Sequence, residues 1–252
     1  MAHDPDRSRT VLLFAGEFSE SPPPRYETAL AYDADRGRTV LFGSRHVRTP
    51  YRDTWEWDGT TWTQRFPRDG PTSGGHLAYD SVRRRTVFLT AGQTWEWNGT
   101  EWTRRSPAAN PSVGGPVAFD SRRGVTVFSN GSETWEWDGA EWTRRLPAAQ
   151  PGFRQENALA YDVARGRTVL FGGGDFTPCV CSTRNDLWEW DGTEWTARPV
   201  PLSPSPRVKP VMAYDSARAR MVLFGGHSHS CSPPSQESGS AATCRGRWTP
   251  GS

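Results

Sequence analysis

An all-β propeller of four-stranded blades is the fold this 252-residue sequence predicts, and three observations predict it. A ten-residue stretch, Thr54 to Thr63, reads Thr-Trp-Glu-Trp-Asp-Gly-Thr-Thr-Trp-Thr. It returns at Thr94 to Thr103, Thr134 to Thr143 and Leu187 to Thr196, and the four copies hold twelve of the thirteen tryptophans. A second segment, Ala31-Tyr32-Asp33 running on to Arg38-Thr39-Val40-Leu41-Phe42, recurs upstream of each copy and once more near the C-terminus. Its marker aspartates, Asp33, Asp80, Asp120, Asp162 and Asp215, are spaced by 47, 40, 42 and 53 residues. The 25 glycines and 21 prolines supply many turns, and no apolar pattern of helical period runs for a useful length. Periods of about 40–50 residues in such a composition belong to propeller blades rather than helical solenoids.

Each unit divides into strands a to d. Strand a ends in Ala-Tyr-Asp, strand b is Arg-Thr-Val-Leu-Phe, strand c is Trp-Glu-Trp, and strand d starts at the Trp of Trp-Thr-Arg-Arg. Across the a–b turn, Asp33/Arg38, Asp80/Arg85, Asp162/Arg167 and Asp215/Arg220 are placed to pair, at ~0.2–1 kcal/mol each. Val125 at the equivalent arginine position shows that the pair is dispensable. The c–d connection is Asp-Gly or Asn-Gly, which predicts a two-residue hairpin loop with Trp55 opposite Trp62. The same register sets Glu96 against Glu101, Glu136 against Glu141 and Glu189 against Glu194, an unfavourable arrangement unless Arg104 and Arg105 offset it or a bulge shifts it. Because the tryptophans recur at fixed positions, they are expected to pack blade on blade.

The units give one domain over 1–252 with six sectors: 1–24 partial, 25–70, 71–111, 112–151 and 152–206 complete, and 207–252 partial. Both partial sectors supply strands a and b, so a truncated or degenerate propeller is expected. The net charge of +2 without a clustered basic face argues against nucleic-acid or membrane-surface binding. No apolar run reaches the roughly 20 residues of a membrane span. A mean hydropathy of −0.72 is low, but 12% aromatic residues compensate through large buried areas. Lys209 is the single lysine, which makes abundant arginine a weak sign of anion binding.

The chain resembles the Kelch-repeat family in its bacterial form, related to the central propeller of galactose oxidase. Carrying the resemblance are the glycine doublets Gly172-Gly173 and Gly225-Gly226, degraded to Gly43-Ser44, Ala91-Gly92 and Asn130-Gly131 elsewhere. With them go the strand-a aromatics Tyr32, Tyr79, Phe119, Tyr161 and Tyr214. The resemblance implies a propeller and specifies no function, since propellers host many roles. The copper ligands of galactose oxidase map onto no residue here, so no cofactor is expected.

In a four-stranded meander the b–c and d–a loops share one face, around the mouth of the central channel. Arg25, Arg154 and Arg207 stand eight residues before their marker aspartates, where the other complete units have Thr72 and Ser112. They read as a partial ring gripping an acidic partner, or as arginines that satisfy loop carbonyls and pair with Glu27 and Glu156. The b–c loop at 44–53 is basic, with Arg45, His46, Arg48, Tyr51 and Arg52. Cys179, Cys181, Cys231 and Cys244 all lie in two b–c insertions, which suggests disulfides and an oxidising compartment. The rivals are free thiols and a metal site adding His227 and His229, for which Cys-Val-Cys is poorly spaced.

No framed nucleophile or phosphate loop is visible, so the reading is a non-catalytic scaffold recognising a protein or peptide, acidic if the arginines carry the site. The alternatives are a secreted glycan-binding or oxidase-related module and a structural spacer or gene fragment. An extracellular or cell-surface setting is expected from the cysteines, although Met1 to Arg7 lacks the order of a signal peptide; a cytoplasmic setting is the alternative.

Overall fold

The computed structural model describes residues 21–44, 51–90, 92–111, 115–176 and 182–228, and the backbone of 2–4 and 9–11. These residues form strands and turns without a helix, so no helix is long and apolar enough to cross a membrane. In chain order the strands are β1 (Ala2–Asp4), β2 (Arg9–Val11), β3 (Ala29–Asp33), β4 (Arg38–Ser44), β5 (Tyr51–Trp57) and β6 (Trp62–Arg65). Next come β7 (His76–Asp80), β8 (Arg85–Thr90), β9 (Gln93–Trp97), β10 (Trp102–Arg105), β11 (Val117–Asp120), β12 (Val125–Ser129), β13 (Thr134–Trp137) and β14 (Trp142–Arg145). The remainder are β15 (Ala158–Asp162), β16 (Arg167–Phe171), β17 (Gly174–Asp175), β18 (Ser182–Thr183), β19 (Leu187–Trp190), β20 (Trp195–Arg198), β21 (Val208–Asp215) and β22 (Arg220–His227).

Four antiparallel meanders, β3–β6, β7–β10, β11–β14 and β15-β16-β19-β20, are the complete blades of a β-propeller. Two-stranded sheets β1-β2 and β21-β22 stand in the first and sixth sectors, and β17-β18 is a small ribbon in a b–c connection. The first strands of the sheets lie side by side around an axis, β3 by β7, β7 by β11, β11 by β15 and β15 by β21. Strand β1 touches both β21 and β3 and completes the ring.

Alternation along strand c explains how the blades join. In Thr-Trp-Glu-Trp the tryptophans take one face of the sheet, towards the preceding blade, and Thr and Glu take the other, towards the following blade. One junction packs Ala29, Ala31, Val40 and Phe42 of the first complete blade against Leu77, Phe88, Trp95, Trp97 and Trp102 of the second. The next two repeat the pattern, ending on Trp137 and Trp142 and on Trp190 and Trp195. The indole N–H of Trp97 donates to Glu56 of the preceding blade, Trp137 to Glu96 and Trp190 to Glu136, at 2.9, 3.2 and 2.9 Å. Those of Trp102, Trp142 and Trp195 donate to the hydroxyls of Thr54, Thr94 and Thr134. These six tryptophans are therefore core, with their polar handles satisfied across each junction.

The buried glutamate is the hub of its blade. Glu56 also accepts from Arg36 and Arg65, Glu136 from Arg123 and Arg145, and Glu189 from Arg165 and Arg198. The hairpin Gly99 has φ +102, and a Cβ there would lie 2.5 Å from Nη1 of Arg36 in the preceding blade, so this position requires glycine.

Two expectations about register and pairing are corrected. The c–d loop has four residues, with Trp57 opposite Trp62 and Glu56 opposite Thr63. The reason is local: Asp58 Oδ1 accepts from the amides of both Thr60 and Thr61, at 2.8 Å each, and Asn98, Asp138 and Asp191 repeat the motif. This removes the glutamate opposition. Glu101, Glu141 and Glu194 instead accept backbone N–H groups of Arg68, Ala108 and Ala148 in the preceding blade's d–a connection. At the a–b turn, Asp33 and Arg38 do oppose one another, but the Asp33 carboxylate bonds Arg36, while Arg38 reaches Asp58 at 3.0 Å. Asp120 likewise uses Arg123, which is why Val125 is tolerated.

Candidate binding site at the channel mouth

The inner strands and the connections leading into them line a central cavity of roughly 1400 Å3. Six residues before the marker aspartate, where each d–a connection turns into strand a, stand Glu27, Glu156 and Lys209. All three hold left-handed backbone conformations, with φ of 56°, 58° and 53°. The Lys209 Nζ lies 2.5 Å from Glu27 Oε1 and 3.2 Å from Glu156 Oε1, so three sectors meet in one charged cluster. Burial lowers the Lys209 pKa, but the two carboxylates outweigh it and the net shift is upward, which keeps the ammonium charged. Left-handed backbone costs of order 1–3 kcal/mol at each non-glycine residue. The Lys209 backbone N–H also donates to the Glu156 carbonyl at 2.9 Å, so backbone and side chains together tie these approaches at the mouth.

Deeper in the channel, Asn157 is 5% exposed, donates a long 3.4 Å bond to the Ser129 carbonyl, and leaves its Oδ1 without a partner. A buried acceptor left unpaired costs ~1–3 kcal/mol. The His76 side chain is open to the channel's solvent yet surrounded by protein. Desolvation by the channel wall lowers its pKa, which favours the neutral donor-and-acceptor form at neutral pH.

The arginines do not form the expected ring. Arg25 makes a bidentate pair with Asp53 at 2.7 and 2.8 Å, donates to the carbonyls of Pro23 and Gly43, and lies 4.5 Å over the Tyr51 ring. Arg154 is fully buried, bidentate to Asp186 at 2.6 and 3.0 Å, and bonded to the carbonyls of Pro151, Gly152 and Gly172. Each is a clamp between the strand-a approach and strand c, present where an aspartate stands two residues before the first tryptophan. Gln93 and Glu133 hold that place in the blades without the arginine. Arg207 bonds the Ser205 and Gly225 carbonyls and the Ser205 hydroxyl. Glu27 and Glu156 pair with Lys209 rather than with these arginines.

Arg45, His46, Arg48, Cys179, Cys181, Cys231 and Cys244 lie outside the described residues, as does His229 of the metal alternative. Among the described residues no group of three His, Cys, Asp or Glu side chains could hold a metal ion. The sequence reading passed over Lys209 and Asn157. The available signal was that the chain's single lysine falls at the same repeat position as Glu27 and Glu156.

No protein-family model matches the chain, and no curated protein matches it. Among solved structures it is similar to the one titled "Structure of YjhT", at a TM-score of 0.61 and 12% identity, over 81% of this chain and 78% of that one. This likeness agrees with the propeller fold.

Proposed function

We propose that the protein is a non-catalytic recognition module of Kelch type that binds a peptide segment at the channel mouth. The observation that carries the reading is the Glu27–Lys209–Glu156 cluster, in which three sectors bring two carboxylates to one ammonium at the channel mouth. Two carboxylates against one ammonium favour a ligand that brings a positive charge or several N–H donors. With Arg25 and Arg154 committed internally, the preference shifts from an acidic to a basic segment. Selection of a displayed peptide library on the full chain is expected to enrich Lys- or Arg-bearing peptides. Their binding should weaken at least tenfold in the Glu27→Gln/Glu156→Gln double variant; enrichment that ignores this variant would sink the proposal.

One observation favours a glycan instead. The exposed, neutral His76 imidazole on the channel lining can both donate to and accept from sugar hydroxyls. A glycan array is the test, and His76→Ala should abolish any hit. An extracellular or cell-surface setting accompanies either reading through Cys179, Cys181, Cys231 and Cys244; four free thiols by mass spectrometry would remove it.

A further inference from the structure

The face of the disc opposite the channel mouth carries the a–b and c–d turns, and one residue there departs from the repeat. Asn98 stands at the c–d turn where the other three complete blades have Asp58, Asp138 and Asp191. It is exposed and followed by Gly99, and its Oδ1 accepts from the Thr100 N–H, the Thr100 hydroxyl and the Glu101 N–H, at 2.8 Å each. The Gly99 N–H has no acceptor among the described residues. Arg36 packs on Gly99, but a guanidinium carries only donors and cannot engage that N–H. A second Asn-Gly pair, Asn130-Gly131, provides the contrast. Its Oδ1 accepts from the Ser132 N–H, the Ser132 hydroxyl and the Glu133 N–H, at 3.1, 3.2 and 2.8 Å. Asn130, however, is 5% exposed, and the Gly131 N–H donates to the buried Ser129 hydroxyl at 3.1 Å.

We infer that Asn98 is a self-deamidating site, at which the chain converts its own side-chain amide to a carboxylate. The Gly99 nitrogen loses its proton and attacks Asn98 Cγ, the Cγ–Nδ2 bond breaks, and ammonia leaves a five-membered succinimide. Water then opens the ring and supplies one oxygen: opening at Cγ gives aspartate, and opening at the backbone carbonyl gives isoaspartate. The three donors on Oδ1 stabilise the oxyanion that develops there, as preorganised donors do in acyl transfer. Glycine places no side chain beside the attacking nitrogen. At Asn130 the same donors are present, but the nucleophile is already bonded and the group is shut away from water. The product also has a partner. Arg85 opposes Asp80 as Arg38 opposes Asp33, and Arg38 reaches Asp58 at 3.0 Å, whereas Arg85 donates to the Arg84 carbonyl. An aspartate at position 98 restores the missing pair. It also keeps the turn, which Asp58, Asp138 and Asp191 make with the same amide bonds, while isoaspartate would lengthen the backbone and break it.

The test ages the full chain in mildly alkaline heavy-oxygen water and then digests it with trypsin in ordinary water, so that deamidation during digestion carries no label. Trypsin separates the two sites, residues 86–104 carrying Asn98 and residues 124–144 carrying Asn130. By mass spectrometry the first peptide is expected to exchange its amide for a labelled acid roughly tenfold faster than the second, whose Gly131 must first give up a buried bond. In urea the fold is lost and the two rates should converge. Thr100→Ala removes one donor to Oδ1 and should slow the reaction several-fold; alanine is accepted at that place, since Ala140 occupies it in a sister turn. An unmodified Asn98 overturns the inference, as do equal rates in the folded protein or a contrast that persists in urea. Fragmentation that distinguishes the two acids should find mainly aspartate, and mainly isoaspartate would overturn the restored pair with Arg85.

Discussion

Replacing Glu136 by alanine probes the junction between blades directly. The carboxylate is 2% exposed and accepts from Arg123 at 2.5 Å, Arg145 at 2.8 Å and the Trp190 indole of the next blade at 2.9 Å. Trp190 is 1% exposed, so its N–H would be left buried and unsatisfied, at ~1–3 kcal/mol. The two guanidiniums, 30% and 44% exposed, can turn to water, and each lost pair adds up to ~1 kcal/mol. The sum is about 1–5 kcal/mol, its upper end reaching what breaking one side of a buried ion pair costs. Glu189 is the internal control. It holds Arg165 and Arg198, about half exposed, and receives no indole among the described residues. Glu189→Ala should therefore cost less than Glu136→Ala by the indole contribution, ~1–3 kcal/mol. Urea unfolding followed by tryptophan fluorescence gives both values. Equal losses would refute the idea that the indole–carboxylate bond latches neighbouring blades.

Arg154→Ala should destabilise by at least ~1–3 kcal/mol, because it strands buried loop carbonyls while the Asp186 carboxylate, 40% exposed, can turn to water, whereas Arg207→Ala should cost under ~1 kcal/mol; thermal unfolding compares them. Acid stability has a sign set by the turn aspartates. Asp191 accepts the Glu194 and Thr193 amides, which hold its pKa down at about 2, below its unfolded range. Its contribution is present above the unfolded pKa, ~3.9, and is lost as pH falls towards 2. Asp191→Asn should leave the fold intact at neutral pH, since Asn98 makes the same turn, and should flatten the acid limb of a circular-dichroism titration.

Much of the fold was legible because the repeat compares the chain with itself. The spacing of Asp33, Asp80, Asp120, Asp162 and Asp215 marks the blades, and the alternation in Thr-Trp-Glu-Trp already separates an apolar from a polar face. The hairpin register was not legible from the Asp-Gly dipeptide. A capping carboxylate on two successive amides outcompetes the two-residue loop, and that choice depends on side-chain geometry. The choice between the two readings of Arg25 and Arg154, ligand ring or internal satisfaction of loop carbonyls, was open for a related reason. An arginine in a loop is equally a ligand-binding cation or an internal clamp until the position of Asp53 or Asp186, nearly thirty residues away or more, is known.

The sequence by itself determined what each strand must bury and how often, since period-two patterning and turn chemistry are local properties. Tertiary structure alone decided what the polar groups do. It brought Glu27, Glu156 and Lys209 from three sectors to one mouth, left the buried Asn157 Oδ1 without a hydrogen-bond partner, and committed Arg25 and Arg154 to Asp53 and Asp186. These outcomes depend on which segments meet across 28 to nearly 200 residues of chain, a distance over which no local preference reaches.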